Sequence, residues 1–295
     1  MRFASLAWGL FAAALGLGAL AAPAASGAPG ASASNLTNAL PQLTREIERS
    51  PRHADLYLKR GEIYRAAKNW DAALADLQQA AALDPSLAAV DLATAQVLLD
   101  ANWLLAGKVA VDRFLQRQPA HAEGLVTRAR AHLKLGLPQA AADDLAQAIA
   151  ASPKPGPELF IEHAYALTSI GKHRTDDALR VIEDGIRRHG PLLTLQLYAI
   201  DLEARGQRFD DALKRLDKVA AQSAHSETWL ARRGEILMLA GREAEARQAF
   251  TQALAAVRAL SPARRNTPGM MELEKRLTSL VETKPGGPVK SELRN

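Results

Sequence analysis

The chain has 295 residues, of which only 5% are aromatic while alanine is abundant, a composition that suits closely packed helices rather than sheets. Its 37 Lys and Arg are set against 32 Asp and Glu scattered along the same segments, so the formal charge of +5 contains no long single-sign block and indicates no nucleic-acid groove. Cysteine is absent, which excludes disulfides, thiol catalysis and thiolate metal sites and remains compatible with an oxidising compartment.

Met1 to Leu20 carries one positive charge, Arg2, then an uncharged Ala/Leu/Phe/Gly run, and small residues follow as far as Ser34. That order predicts a secretory signal peptide over residues 1–28, cleaved after Ala24 or Ala28. The alternative is an uncleaved anchor, since about 18 apolar residues can just span a bilayer. A Pro/Ala/Gly/Ser stretch follows, however, rather than a charged stop-transfer segment. Residues 29–37 are expected as a flexible linker. The mature protein is expected in the periplasm or secreted, meeting a membrane only through its transient signal peptide.

From there a period governs the chain. Pro51, Pro85, Pro119 and Pro153 stand 34 residues apart, the length of a two-helix unit that buries its apolar face by stacking on copies of itself. The half-unit Asn38 to Ser50, with Ala39, Leu43 and Ile47, caps the N-terminal end. In the first full unit, Ala54 to Leu87, helix A carries Tyr57, Gly61 and Tyr64 and helix B carries Ala73, Leu77 and Ala80. Gly61 and Ala73 allow close approach of two antiparallel helices, and Pro85 ends the second. The second unit keeps Ala95, Leu98 and Pro119 but places Gly107 and Phe114 where alanine is expected. The third, with Leu125, Ala129, Ala141, Leu145 and Ala148, follows the pattern closely. A fourth, with Phe160, Ala164 and Leu167, accepts about two extra residues within Ser169 to Asp176 before Ala178, Ile182 and Gly185. The fifth has Ile200 in the small-residue slot but keeps Ala212 and Leu216. The sixth is clear again, with Gly234, Leu237, Ala246, Phe250 and Ala253, and its Arg233-Gly234-Glu235-Ile236 repeats Arg60-Gly61-Glu62-Ile63. Met270 to Glu282 supplies a C-terminal capping helix, and residues 283–295 read as a disordered tail.

These residues resemble the tetratricopeptide repeat pattern, in which aromatic, small and large side chains mark helix A and small, large and small ones mark helix B. The resemblance implies an all-α fold, a right-handed α-solenoid of about six helix pairs over residues 38–282 with capping helices at both ends. It also implies that the helix A elements line a concave face and that the protein binds peptides or protein surfaces there. The places of the unit that point into such a face hold Leu58, Leu92, Val126, Ile161 and Leu197 in an apolar row, and Glu62, Gln96, Arg130, Tyr165, Asp201 and Glu235 in a second row. Arg65, Asp100, Lys134 and Arg205 lie beside them. An apolar strip edged by mixed charge suits an amphipathic helix or an extended apolar peptide; the alternative is that the apolar row packs between neighbouring helices. The family's carboxylate clamp needs Lys and Asn where this chain has Leu58 and Glu62, so that mode is not expected.

Nothing in the sequence forms a catalytic constellation. The seven histidines lack metal-ligand spacing and are expected mostly on turns and helix surfaces. Asp176-Asp177 and Asp210-Asp211 suit helix N-termini, and Asp143-Asp144 reads as a solvated helix face. Trp70, Trp103 and Trp229 read as core fillers, and Arg264-Arg265 as a solvated turn. The expectation is a non-enzymatic scaffold without cofactor or metal, binding a protein or peptide partner and no nucleic acid. The alternative is a structural subunit that docks by its convex face.

Overall fold

The computed structural model describes residues 33–223 and 226–282. The segments read as signal peptide and tail lie outside those residues. Every regular element among the described residues is helical, with α1 at Ala33–Arg49, α2 at Ala54–Ala66, α3 at Trp70–Leu83, α4 at Ala88–Asp100 and α5 at Leu104–Arg117. They continue as α6 at Ala122–Lys134, α7 at Pro138–Ala151, α8 at Pro157–Ile170, a 3-10 turn at Lys172–Arg174, and α9 at Thr175–His189. Last come α10 at Leu193–Arg205, α11 at Phe209–Ala220, α12 at Ser226–Leu239, α13 at Glu243–Arg258, a short α14 at Pro262–Arg265, and α15 at Pro268–Glu282. The fold is an α-solenoid of helix pairs. Helix α1 begins at Ala33, inside the segment expected as linker.

The chain forms two compact bodies that divide in sequence between Val181 and Ile182, within α9. In the first, α2 packs on α3, α4 on α5 and α6 on α7, and each pair packs on the next. The small-residue contact holds as the sequence suggests: a Cβ added at Gly61 comes within 3.3 Å of the Ala73 carbonyl. The second pair moves the glycine to the other partner, because a Cβ at Gly107 comes within 3.2 Å of the Ala95 carbonyl. Phe114, the large residue in an alanine slot, is fully buried because Gly124 on the next helix leaves room for its ring. A Cβ at Gly124 lies 2.6 Å from Phe114 Cε1, so one irregular residue is accommodated by another. In the second body α12 packs on α13, α13 on α15, and α10 on α11. Ile200, Ala212, Leu216, Ile236, Phe250 and Leu277 belong to one apolar cluster there.

Turns repeat as strictly as helices. The residues in left-handed backbone at the ends of the A helices are Lys68, Asn102 and Gly136, then Gln207 and Gly241, each 34 from its neighbour within its group. The backbone reverses at one fixed slot whatever side chain stands there, and Lys68 and Gln207 hold a conformation that costs a non-glycine residue about 1 kcal/mol. The extra residues of the fourth unit are taken up by Gly171 and the 3-10 turn.

Charge also repeats. Arg60 forks onto Asp76, with Nε to Oδ2 and Nη2 to Oδ1 both at 2.7 Å, and donates to Thr44 on the preceding helix at 3.2 Å. Arg128 does the same to Asp144 at 2.9 and 2.6 Å, and reaches back to Asp112 at 3.5 Å. Arg233 bonds Asp217 on the helix before it. Arg60 and Arg128 sit between successive B helices, with partners sixteen residues before and sixteen after, and Arg233 keeps the partner sixteen before.

Three expectations are corrected here. Asp144 is not on a solvated face but 3% exposed, held inside by Arg128, while its neighbour Asp143 is exposed. His132 is buried rather than on the surface, with Nδ1 3.1 Å from Asp144 Oδ2. Trp103 is no core filler: it occupies the N-cap of α5 and is 54% exposed, whereas Trp229 is buried and Trp70 half-buried.

Candidate functional site

In the first body the A helices touch one another, α2 against α4 and α4 against α6, and no contact of that extent joins α3 to α5 or α5 to α7. The stack therefore curves toward its A helices, and their shared face is the inner one. Leu58, Leu92, Val126 and Ile161 lie along it, one per unit. Leu92 and Val126 are buried at 8% and 7% exposure, and Leu58 and Ile161 are half-buried. This row is thus largely a seam between neighbouring helices with limited apolar surface to offer.

The polar row differs. Gln96 Nε2 donates to Glu123 Oε1 at 2.9 Å, tying α4 to α6. Arg130 forks onto Glu162 of α8, Nε to Oε2 at 3.0 Å and Nη2 to Oε1 at 2.7 Å. Burial opposes the Arg130 charge, but Glu162, with Glu158 and Asp100 behind it, holds the guanidinium firmly protonated. Arg65 Nη1 donates to Asp100 Oδ2 at 3.0 Å, and Lys134 Nζ to the Leu99 carbonyl at 2.9 Å. Tyr165 is 43% exposed. Glu62 is exposed by area yet crowded, and this burial raises its carboxyl above the usual range; Arg65 and Lys59 oppose the shift while Glu123 adds to it.

A difference between the signs emerges. Arg65 and Arg130 are committed to carboxylates and Lys134 to a backbone carbonyl, while Lys59 acts on Glu62 from a distance. Among the described residues no cation lies within ion-pair distance of Glu62, Glu123 or Glu158. Glu123 and Glu158 occupy the first turns of α6 and α8, where the helix dipole favours them. Sequence reading passed over that place of the unit because its charge suits the helix end on local grounds alone.

Leu197 and Asp201 belong to the second body. Leu197 packs against the apolar cluster there, and Asp201 pairs with Arg205 at 2.7 Å and Arg232 at 3.4 Å. Glu235 is held by Arg232 at 2.9 Å and by Arg276 of the capping helix at 2.6 Å. The place that Glu62 holds open in the first body is acidic here too but paired with the protein's own arginines, and the first-turn Glu227 is paired with Arg264.

A second surface was missed from sequence. On the outer helices of the first body Leu105 is 71% and Val109 56% exposed, one turn apart on α5, and Trp103 and Leu137 are exposed at the starts of α5 and α7. The B-helix periodicity was legible, but which apolar residues fall outside it was not. Among the described residues no group of three or more His, Asp or Glu is placed to hold a metal ion, and no helix is long and apolar enough to cross a membrane.

Comparison with known proteins gives the same architecture. A tetratricopeptide repeat profile matches residues 31–88 and 92–155, and a tetratricopeptide repeat-like domain profile matches 187–268. No curated protein matches the chain. Among solved structures, a tetratricopeptide repeat protein from Parabacteroides merdae is 18% identical over 83% of this chain and 93% of its own, with a TM-score of 0.52. The C-terminal part of a TPR repeat-containing protein from Cytophaga hutchinsonii is 13% identical over 78% and 93%, with a TM-score of 0.64. Pseudomonas aeruginosa pilF is 16% identical over 76% and 97%, with a TM-score of 0.52. At these identities the likeness concerns the fold.

Proposed function

We propose that this chain, which belongs to the tetratricopeptide repeat family, is an exported interaction scaffold that holds a peptide or protein segment along the A-helix face of its first body. The fold is typically a non-catalytic scaffold, and proteins of this family generally mediate contacts with other proteins. The observation that carries the reading is the inner face itself, where Glu62 and Tyr165 stay exposed beside a half-buried apolar seam. Export rests on the Arg2-led apolar run and the small residues behind it.

A photoreactive phenylalanine analogue replacing Tyr165, compared in intact cells with the same analogue replacing Leu105, tests the reading. Capture of one partner from position 165 and not from 105 is expected. The intact mass of the recovered chain, expected to lack residues 1–24 or 1–28, tests export.

The exposed Trp103, Leu105, Val109 and Leu137 favour one further reading, in which the outer helices dock the protein into a larger assembly. Capture from position 105 alone supports it. A stable monomer by light scattering in both wild type and Leu105→Glu removes its homo-oligomeric form.

A further inference from the structure

The seam residues Leu92 and Val126 are buried, so an apolar peptide gains little surface on the inner face of the first body. What the face leaves unsatisfied is negative charge. Glu62 and Glu123 come from units one and three and act electrostatically on one another across unit two, where Gln96 bonds Glu123 through a neutral amide. Glu158 stands beside Arg130, whose fork is already spent on Glu162. Arg65 is engaged by Asp100, Lys134 donates to the Leu99 carbonyl and keeps its charge, and Arg65 and Lys59 act on Glu62 from a distance, so that among the described residues none of the three carboxylates is ion-paired.

Resting on the scaffold reading above, we infer that the inner face of the first body takes a cationic segment of its partner, an extended stretch whose Lys or Arg side chains reach Glu62, Glu123 and Glu158 while an interleaved apolar residue lies against Tyr165. An extended chain advances about 3.3 Å per residue and places alternate side chains on one side, so cations on that side meet carboxylates carried by units one, three and four. Tyr165 supplies an aromatic surface for the segment's apolar or cationic stems. In the second body Asp201 and Glu235, which match Glu62, are paired with Arg205, Arg232 and Arg276, and the first-turn Glu227 with Arg264, so the preference belongs to the first.

The charge of the whole chain makes this inference sharp. At +5 the protein as a whole attracts anionic peptides, so nonspecific electrostatics predicts the opposite preference. The probes are two labelled peptides of about ten residues, one alternating lysine and leucine and one alternating glutamate and leucine, titrated into the full chain by fluorescence anisotropy. The lysine peptide is expected to bind at least about tenfold more tightly and to weaken with added salt. Glu62→Gln/Glu123→Gln is expected to remove most of that advantage, whereas Glu243→Gln, exposed on the second body, leaves it intact. Melting by circular dichroism checks that the double variant is folded, and Glu62→Lys supplies an independent variant should it not be. Equal affinity for the two peptides, tighter binding of the glutamate peptide, or an advantage that survives the double variant overturns the inference. Should the preference be absent while partner capture at position 165 persists, the scaffold reading stands and the cationic segment alone falls. Failure of both removes both.

Discussion

The ion pair between Arg128 and Asp144 gives the most demanding test of the packing argument, because unit two supplies a natural control. Asp144→Ala strands a guanidinium only 26% exposed, with Asp112 at 3.5 Å as its remaining partner. Breaking a buried pair costs about 3–5 kcal/mol. With Arg128 a quarter exposed and Asp112 retained, about 2–3 kcal/mol is expected here. Arg128→Thr leaves a buried carboxylate with only His132 nearby, a loss of about the same size. One period earlier, the same two places hold Thr94 and Ala110, and Ala110 is 2% exposed in an ordinary apolar contact. The double variant Arg128→Thr/Asp144→Ala therefore reproduces an arrangement the protein already uses. It is expected to lose about 1.5–3 kcal/mol less than the sum of the single variants. Urea unfolding followed by circular dichroism gives the losses, and hydrogen exchange of the α6 and α7 amides localises them to the first body. Strictly additive losses, or single variants that cost below about 1 kcal/mol, refute the reasoning.

Other outcomes follow from the same geometry. Gly234→Ala puts a Cβ 2.5 Å from Phe250 Cδ1 and is expected to cost about 1–3 kcal/mol, whereas Gly61→Ala, at 3.1 Å from the flexible Leu77 side chain, costs less; equal thermal shifts count against this ranking. The His132 imidazole lies below the usual histidine range because burial disfavours its cation, Lys108 and Arg128 reinforcing this against the carboxylates of Asp144 and Asp112; His163 is lowered by burial and by Arg174, with Asp143 opposing. Histidines lowered on folding contribute stability that is present above about pH 6.5 and is lost as pH falls through the folded value, so the melting temperature should drop below about pH 6.5 and less so in His163→Gln; an unchanged acid profile contradicts it. The raised Glu62 carboxyl works the other way: its contribution is complete below about pH 4.3 and is lost as pH rises, so Glu62→Gln should match the wild type in acid and exceed it near neutrality, as differential scanning fluorimetry at the two pH values would show.

The helix pairs were legible because their causes are local and periodic. Pro51, Pro85, Pro119 and Pro153 each stand two residues beyond a helix end, and Gly61, Ala73, Ala95 and Gly107 mark the close approach of paired helices. The turn slot was not legible, since Lys68, Asn102, Gly136, Gln207 and Gly241 share a backbone conformation but no side-chain chemistry. Asp144 was misread because a charge in a helix interior reads as solvent-facing until its partner sixteen residues away is known. Trp103 failed for the opposite reason: an aromatic beside a helix start satisfies a core pattern, but α5 presents that end outward. Places for the inner row could be transferred from the family, whereas their burial depended on how closely successive A helices approach, which no single unit specifies.

The guanidiniums set between B helices bear on how the modules find their order while folding. Excising residues 88–121 would preserve helix length and turn geometry, yet Arg128 would then look back on Gln78 in place of Asp112. A strand of near-identical hairpins risks slipping by one whole unit. Half-buried Arg128 works as a key cut for the neighbour on one side and its own hairpin on the other, so a slipped assembly leaves a charge unmatched and gives way to the native sequence of modules.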